Sequence, residues 1–156
     1  MDGAVEIHHG TAIALGHCAA LIRGPAGSGK SDLALRCIGL APTALILSQT
    51  VLVADDRVQL TRTGEILKAE APATIGGMLE VRGLGILTVP SLASANLALV
   101  ADLTAPEDIV RFPDPKPQTE LLGLSFPLLL LAPFEASAPL KLLLALAQKL
   151  QGSAQT

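Results

Sequence analysis

"GPAGSGKSD", residues 24–32, decides how the rest of the chain is read. Gly24, Gly29, Lys30 and Ser31 meet the spacing of glycine, four residues, then Gly-Lys-Ser. Successive backbone amides with no side chain in the way can surround an anion, and a helix opening near Lys30 turns its positive dipole end to the same place. The competing reading is a glycine turn that matches by accident, an event on the order of one in a hundred for a chain of this size. Context separates the two. The apolar run "AALIRG" before the loop suits a strand, and "KSDLALRCIGL" after it places Leu33, Ala34, Cys37, Ile38 and Leu40 at helical spacing until Ala41-Pro42 ends the pattern. Strand, glycine loop and helix is the setting a phosphate cradle requires. Gly24, Pro25, Ala26, Gly27, Ser28, Gly29, Lys30 and Ser31 are therefore expected to bind a nucleotide such as ATP. Lys30 would reach its outer phosphates and Ser31 would ligate magnesium.

Working outward, "VEIHH" and "TAIAL" read as two further strands ahead of the loop. "ALILS" and "QTVLVADD" read as strand material leading to two adjacent acids, and "RVQLTRTGEILKAE" as a hairpin turning near Thr63-Gly64. "MLEVRGLGILTV" continues with Val, Ile and Leu between paired glycines, and "TAPEDIVRFPDPKPQTE" looks like a surface excursion. "LGLSFPLLLLAPF" is well short of the roughly 20 residues that cross a bilayer, so it is expected to be a buried strand. "SAPLKLLLALAQKLQ" has the start signal and composition of a helix, with "GSAQT" frayed behind it.

The whole chain sets bounds on function. Its 156 residues suffice for one compact domain, residues 1–156, with 152–156 expected to be disordered. Half the residues are hydrophobic but only 2% are aromatic, so the core must be aliphatic. A net charge of -3 without a basic, aromatic-studded patch argues against nucleic acid as a partner. Nothing reads as a membrane span or an export signal, so the expected location is cytoplasmic. Cys18 and Cys37 form neither a CxxC pair nor a zinc site and are expected to be buried thiols.

A bound triphosphate needs a carboxylate nearby to hold metal or accept a proton, and Asp55-Asp56 at the end of "VLVA" offers one. Adjacent strand residues face opposite ways, so both acids can serve only if the strand ends or bends there. His8, His9 and His17 are each more often solvated or structural than catalytic. Glu80 and Arg82 are expected on one face of a strand, either as an ion pair or beside a ligand that approaches Gly83 and Gly85.

In this order, "HHG", "GPAGSGKSDLAL", "LVADDRV" and "LEVRGLGIL" closely resemble the catalytic domain of the bacterial HPr serine kinase/phosphorylases. The last segment is the most particular to that family, and the likeness is strong from His8 to Val89. The resemblance implies an α/β P-loop fold related to phosphoenolpyruvate carboxykinase, a strand-rich sheet with one helix after the loop and one at the carboxy end. It implies transfer of phosphate from ATP, with magnesium, to a serine of an HPr-like phosphocarrier protein, with the reverse phosphorolysis in many members. By the same likeness Asp55 is the proton-handling acid with Asp56 its neighbour. His9 stands near the phosphate site, Glu80 is a further metal-side carboxylate, and Arg82 organises the signature loop. A homo-oligomer, hexameric in the family, is also implied.

Two departures are visible. The chain is expected to lack the amino-terminal domain of the long members, and their arginine-rich loop near the carboxy end has no counterpart in "APFEASAPLKLLLAL", which offers only Lys141. The sequence resembles the short form of alphaproteobacteria. A nucleotide-binding sensor that does not turn over, and a small-molecule kinase using the same cradle, remain as alternatives to the protein kinase.

Overall fold

The computed structural model describes residues 3–72 and 76–154. Its strands are β1 (Val5–His9), β2 (Thr11–Leu15), β3 (Cys18–Arg23), β4 (Thr50–Ala54), β5 (Arg57–Thr63), β6 (Ile66–Glu70), β7 (Met78–Val81), β8 (Gly85–Thr88), β9 (Ser94–Leu103), β10 (Gln118–Leu121) and β11 (Leu124–Leu131). Two α-helices, α1 (Lys30–Gly39) and α2 (Ala138–Ala154), and a single 3-10 turn at Pro106–Asp108 complete them.

Nine strands form one sheet: seven follow the order β1-β5-β6-β9-β3-β2-β4, and β11, which carries β10 on its first half, joins them by pairing with β9. The ten-residue β9 is its spine. Along one edge β9 pairs parallel with β3; along the other it pairs first antiparallel with β6, from Ser94 to Asn96, and then parallel with β11, from Val100 to Leu103. Pro127 falls where β11 changes partner, since residues up to it pair with β10 and residues after it pair with β9. A proline is tolerated there because it interrupts a ladder that already ends. β7 and β8 form a separate two-stranded sheet.

Strand alternation sorts the core into two layers. Ile13, Leu15, Ala20, Ile22, Leu99 and Ala101 face α1 and α2, where they meet Leu33, Cys37, Leu142 and Leu146. Ala12, Ala14, Ala19, Leu21 and Val100 face the other way, against Val58, Leu60, Leu67 and Phe126. The small alanines on this second face let β5 and β6 close over the central strands. Both cysteines are free and buried. Burial pushes the Cys37 thiol up to about 12 and raises that of Cys18 as well.

The sheet, the helix after the glycine loop and the terminal helix stand as the sequence implies. Two expectations need correction. "ALILS" is not a strand: the Thr43 hydroxyl accepts the N–H groups of Leu45 and Ile46, and Thr43 N–H donates to the Ile46 carbonyl, so the segment is a local turn. A short side chain has outcompeted the ladder, and Ile46 is the residue it puts in the core while Leu45 and Leu47 stay exposed. Glu80 and Arg82 do not share a strand face, because β7 stops at Val81 and Arg82 begins the turn to β8. Gly83, at φ +89, makes that turn possible. α2 is assigned through Ala154, and the last two residues of the tail lie outside those described.

Candidate active site

The glycine loop leaves β3 at Arg23 and enters α1 at Lys30. Gly27 and Gly29 take φ values of +79 and +99, which side-chain-bearing residues rarely adopt. Gly29 caps α1 without any side-chain hydrogen bond, so the first amides of the helix are available to an anion. The Lys30 ammonium folds back over the loop and donates to the carbonyls of Gly24 (2.8 Å) and Pro25 (3.0 Å). Ser28 Oγ is buried with no hydrogen-bond partner, an orphan that a phosphate oxygen in the loop would satisfy.

Asp55 is the centre of the site. β4 ends at Ala54, and Asp55 lies just beyond it, buried, with both carboxylate oxygens engaged. Its Oδ1 accepts from Ser31 Oγ at 2.7 Å and from Thr11 Oγ1 at 3.0 Å; its Oδ2 accepts the backbone N–H of Glu80 at 3.1 Å. Three elements, β2, α1 and β7, thus converge on one carboxylate.

Asp56 turns the other way, as a chain that leaves its strand at this point allows. It adopts φ +68, its carbonyl accepts the Gly10 N–H, and its carboxylate stands 3.4 Å from His9 Nδ1 on the surface. Gly10 is required where it is, since a Cβ there would lie 2.8 Å from the Ile22 carbonyl oxygen. Sequence neighbours therefore separate: Asp55 joins Ser31, and Asp56 joins His9. His8 instead hydrogen-bonds Glu6 at 2.8 Å on the exposed side of β1.

Glu80 reaches this cluster through its backbone, while its side chain is exposed; Arg82, also exposed, makes no part of it. Ser31 Oγ and Asp55 Oδ1 are hard oxygen donors of the kind magnesium takes, with phosphate oxygens and water filling the remaining positions. Among the described residues no group of three or more His, Cys, Asp or Glu could hold a metal unaided. The donor set suits a cation that arrives with its phosphates.

Two participants have no signal in the sequence. Thr11 is fully buried and bonds Asp55 from 44 positions away, yet reads as an ordinary strand threonine. Arg23, directly before the loop, donates Nε to Asp102 Oδ1 (2.7 Å) and Nη2 to Asp102 Oδ2 (2.9 Å), tying the last residue of β3 to the end of β9. Only the pairing of β3 with β9 brings those two together.

A glycine loop between a strand and a helix on a strand-rich sheet, with a serine and a buried aspartate at its mouth, defines an α/β fold of the P-loop type. The description of the HPr Serine kinase C-terminal domain matches residues 3–99, and the chain belongs to that family. The HPr kinase/phosphorylase of Clostridium acetobutylicum is 39% identical over 91 residues, covering 58% of this chain and 27% of that protein. That of Bordetella pertussis is 35% identical over 115 residues, covering 67% of this chain and 35% of that protein. The chain thus spans about a third or less of the length of these relatives. The structure of the HPr(Ser) kinase/phosphatase from Coxiella burnetii superposes with a TM-score of 0.75, covering 96% of this chain and 94% of that one, at 23% identity. That likeness supports the fold.

Proposed function

We propose that this domain transfers the terminal phosphoryl group of ATP to a serine hydroxyl of an HPr-like phosphocarrier protein. The observation that carries the reading is the Ser31–Asp55 hydrogen bond at the mouth of the glycine loop. In this scheme the loop amides and Lys30 hold the phosphates, Lys30 exchanging its two loop carbonyls for phosphate oxygens. Asp55, fixed by Thr11 and the Glu80 amide, accepts the proton of the attacking serine. Magnesium, held by Ser31 with Asp55 and Glu80 beside it, would neutralise phosphate charge. His9 and Asp56 lie at the rim, where the incoming serine would enter, and Arg82 at the exposed turn would meet the carrier. Phosphoryl transfer asks mostly for positioning and charge neutralisation, and these residues supply both.

The test is label transfer from γ-labelled ATP with magnesium to the host's HPr-like protein, beside a version with its acceptor serine changed to alanine. Label on the first and none on the second supports the reading. No label on either, with ATP still bound, would favour a non-catalytic nucleotide sensor. One observation lends that second reading weight: Lys141, the single cation between β11 and the body of α2, is engaged by Glu135 at 2.9 Å. Transfer to a small metabolite in place of the carrier would point to the third.

Two further proposals remain: a homo-oligomer, implied by the family likeness and to be checked by light scattering, and a cytoplasmic location. Among the described residues no helix is long and apolar enough to cross a membrane.

A further inference from the structure

Three strands run mutually parallel, β3, β9 and β11, so their carboxyl ends point the same way. Sheets of this kind take ligands just outside the carboxyl ends of parallel strands. The end of β3 is occupied by the phosphate loop. β9 and β11 end in Leu103-Thr104 and Ala132-Pro133-Phe134, which together with Pro25 and Ser28 of the loop wall a cleft of ≈ 540 Å³. That volume lies within the range of small-ligand sites. β2 and β4, which lead to Thr11 and Asp55, lie on the opposite side of β3 in the sheet order. The cleft is thus separate from the reacting carboxylate yet continuous with the loop that would hold the phosphates.

Phe134 is the unusual residue of this cleft. It is 73% exposed although Ala132 and Pro133 before it are buried. It is held in place nonetheless. The Arg36 guanidinium donates to the Pro133 carbonyl, and the Glu135 N–H reaches the Ala132 carbonyl at 3.4 Å. The ring edge covers Gly29, where a Cβ would lie 3.1 Å from Cε1 and Cζ. An aromatic ring that faces solvent from a backbone tied on both sides, next to the glycine loop, offers a stacking platform. Among the described residues Glu135 is the one charged member of the lining; it is paired with Lys141, and no cation lines the cleft to hold a second anion.

We infer that this cleft receives the nucleobase of the phosphate donor, stacked on Phe134. The inference rests on the nucleotide-binding reading above and adds where the flat, uncharged end of the nucleotide lies. It requires Phe134 to matter for a donor that has a base and not for one that lacks it.

Binding of ATP and of inorganic tripolyphosphate to the full chain, both with magnesium, tests this. Phe134→Ala is expected to weaken ATP roughly tenfold, the scale of a lost base–aromatic stack, and to leave tripolyphosphate within twofold. The chain contains no tryptophan, so Phe134→Trp introduces a sole reporter. Its fluorescence should be quenched by ATP and not by tripolyphosphate. Equal weakening of both ligands by Phe134→Ala would overturn the proposal, because the ring would then only be bracing Gly29. Unchanged affinity for both would overturn it too. Failure of the underlying reading looks different: Lys30→Ala would leave both affinities unchanged, or the unaltered chain would bind neither ligand.

Discussion

Ser31 and Asp55, 24 positions apart, share a hydrogen bond of 2.7 Å at the point where the glycine loop becomes a helix and β4 has just ended. The bond sets a hydroxyl and a carboxylate against each other where a phosphate-bound cation and a reacting proton would both have to be handled. If Asp55 takes the proton, Asp55→Asn keeps the shape of the site and should lower the transfer rate at least about 100-fold, in line with loss of a general base. ATP affinity, measured by calorimetry, should change by no more than a few-fold. An undiminished rate would remove Asp55 from that role.

Thr11→Val tests positioning apart from chemistry. It removes one of the three donors on Asp55 while preserving shape in a fully buried position. Losing a buried hydrogen bond to a charged group should cost about 1.5–3 kcal/mol of stability, read from urea melts. Thr11→Ser, which keeps the hydroxyl, should recover most of the transfer rate lost by Thr11→Val.

Lys30→Ala should weaken ATP binding by tenfold or more, because the ammonium is placed over the loop by the Gly24 and Pro25 carbonyls. The thermal midpoint of the unliganded chain should move little by comparison, since those two carbonyls can accept from water in its place. Normal ATP binding by this variant would sink the phosphate-loop assignment.

The Arg23–Asp102 pair should be measurable as a coupling. Both side chains are about two-thirds buried and the bond is bidentate, so a double-mutant cycle with Arg23→Met and Asp102→Asn is expected to give about 1–2 kcal/mol by urea denaturation. A coupling near zero would mean that water replaces the contact without loss.

Stability should fall at high pH through Cys37. Its thiol is pushed from 9.0 to about 12 in the folded chain, so between those values the unfolded state has released a proton that the folded state keeps. The unfolded state then binds fewer protons, and stability declines as pH rises through this window, by up to about 1.4 kcal/mol per pH unit. Cys37→Ala should flatten that slope in melts between pH 9 and 11, in comparison with the unaltered chain.

The glycine loop was legible in the chain itself because its chemistry is local. Successive residues supply the amides, the lysine and the serine, and the glycines are needed for backbone angles set by their own neighbours. The same holds for α1, α2 and the hairpin of β5 and β6, whose periodicity and turn signals lie within a few residues of each other. Asp55 could be picked out as a candidate for its place after a strand. What distinguishes it from Asp56 could not, because that depends on the sharp turn at Asp56 and on Thr11 and Glu80 arriving from other strands. Where pattern failed, a local competitor or an early strand end was responsible, as with the Thr43 hydroxyl in "ALILS" and the Gly83 turn that removes Arg82 from β7. The Arg23–Asp102 bond and the cleft beneath Phe134 exist only because β3, β9 and β11 lie side by side in parallel, with Arg23 opposite Asp102, 79 residues along the chain. Sequence dictates angles and faces over short distances; which distant ends meet is settled by how the whole sheet buries its two apolar faces.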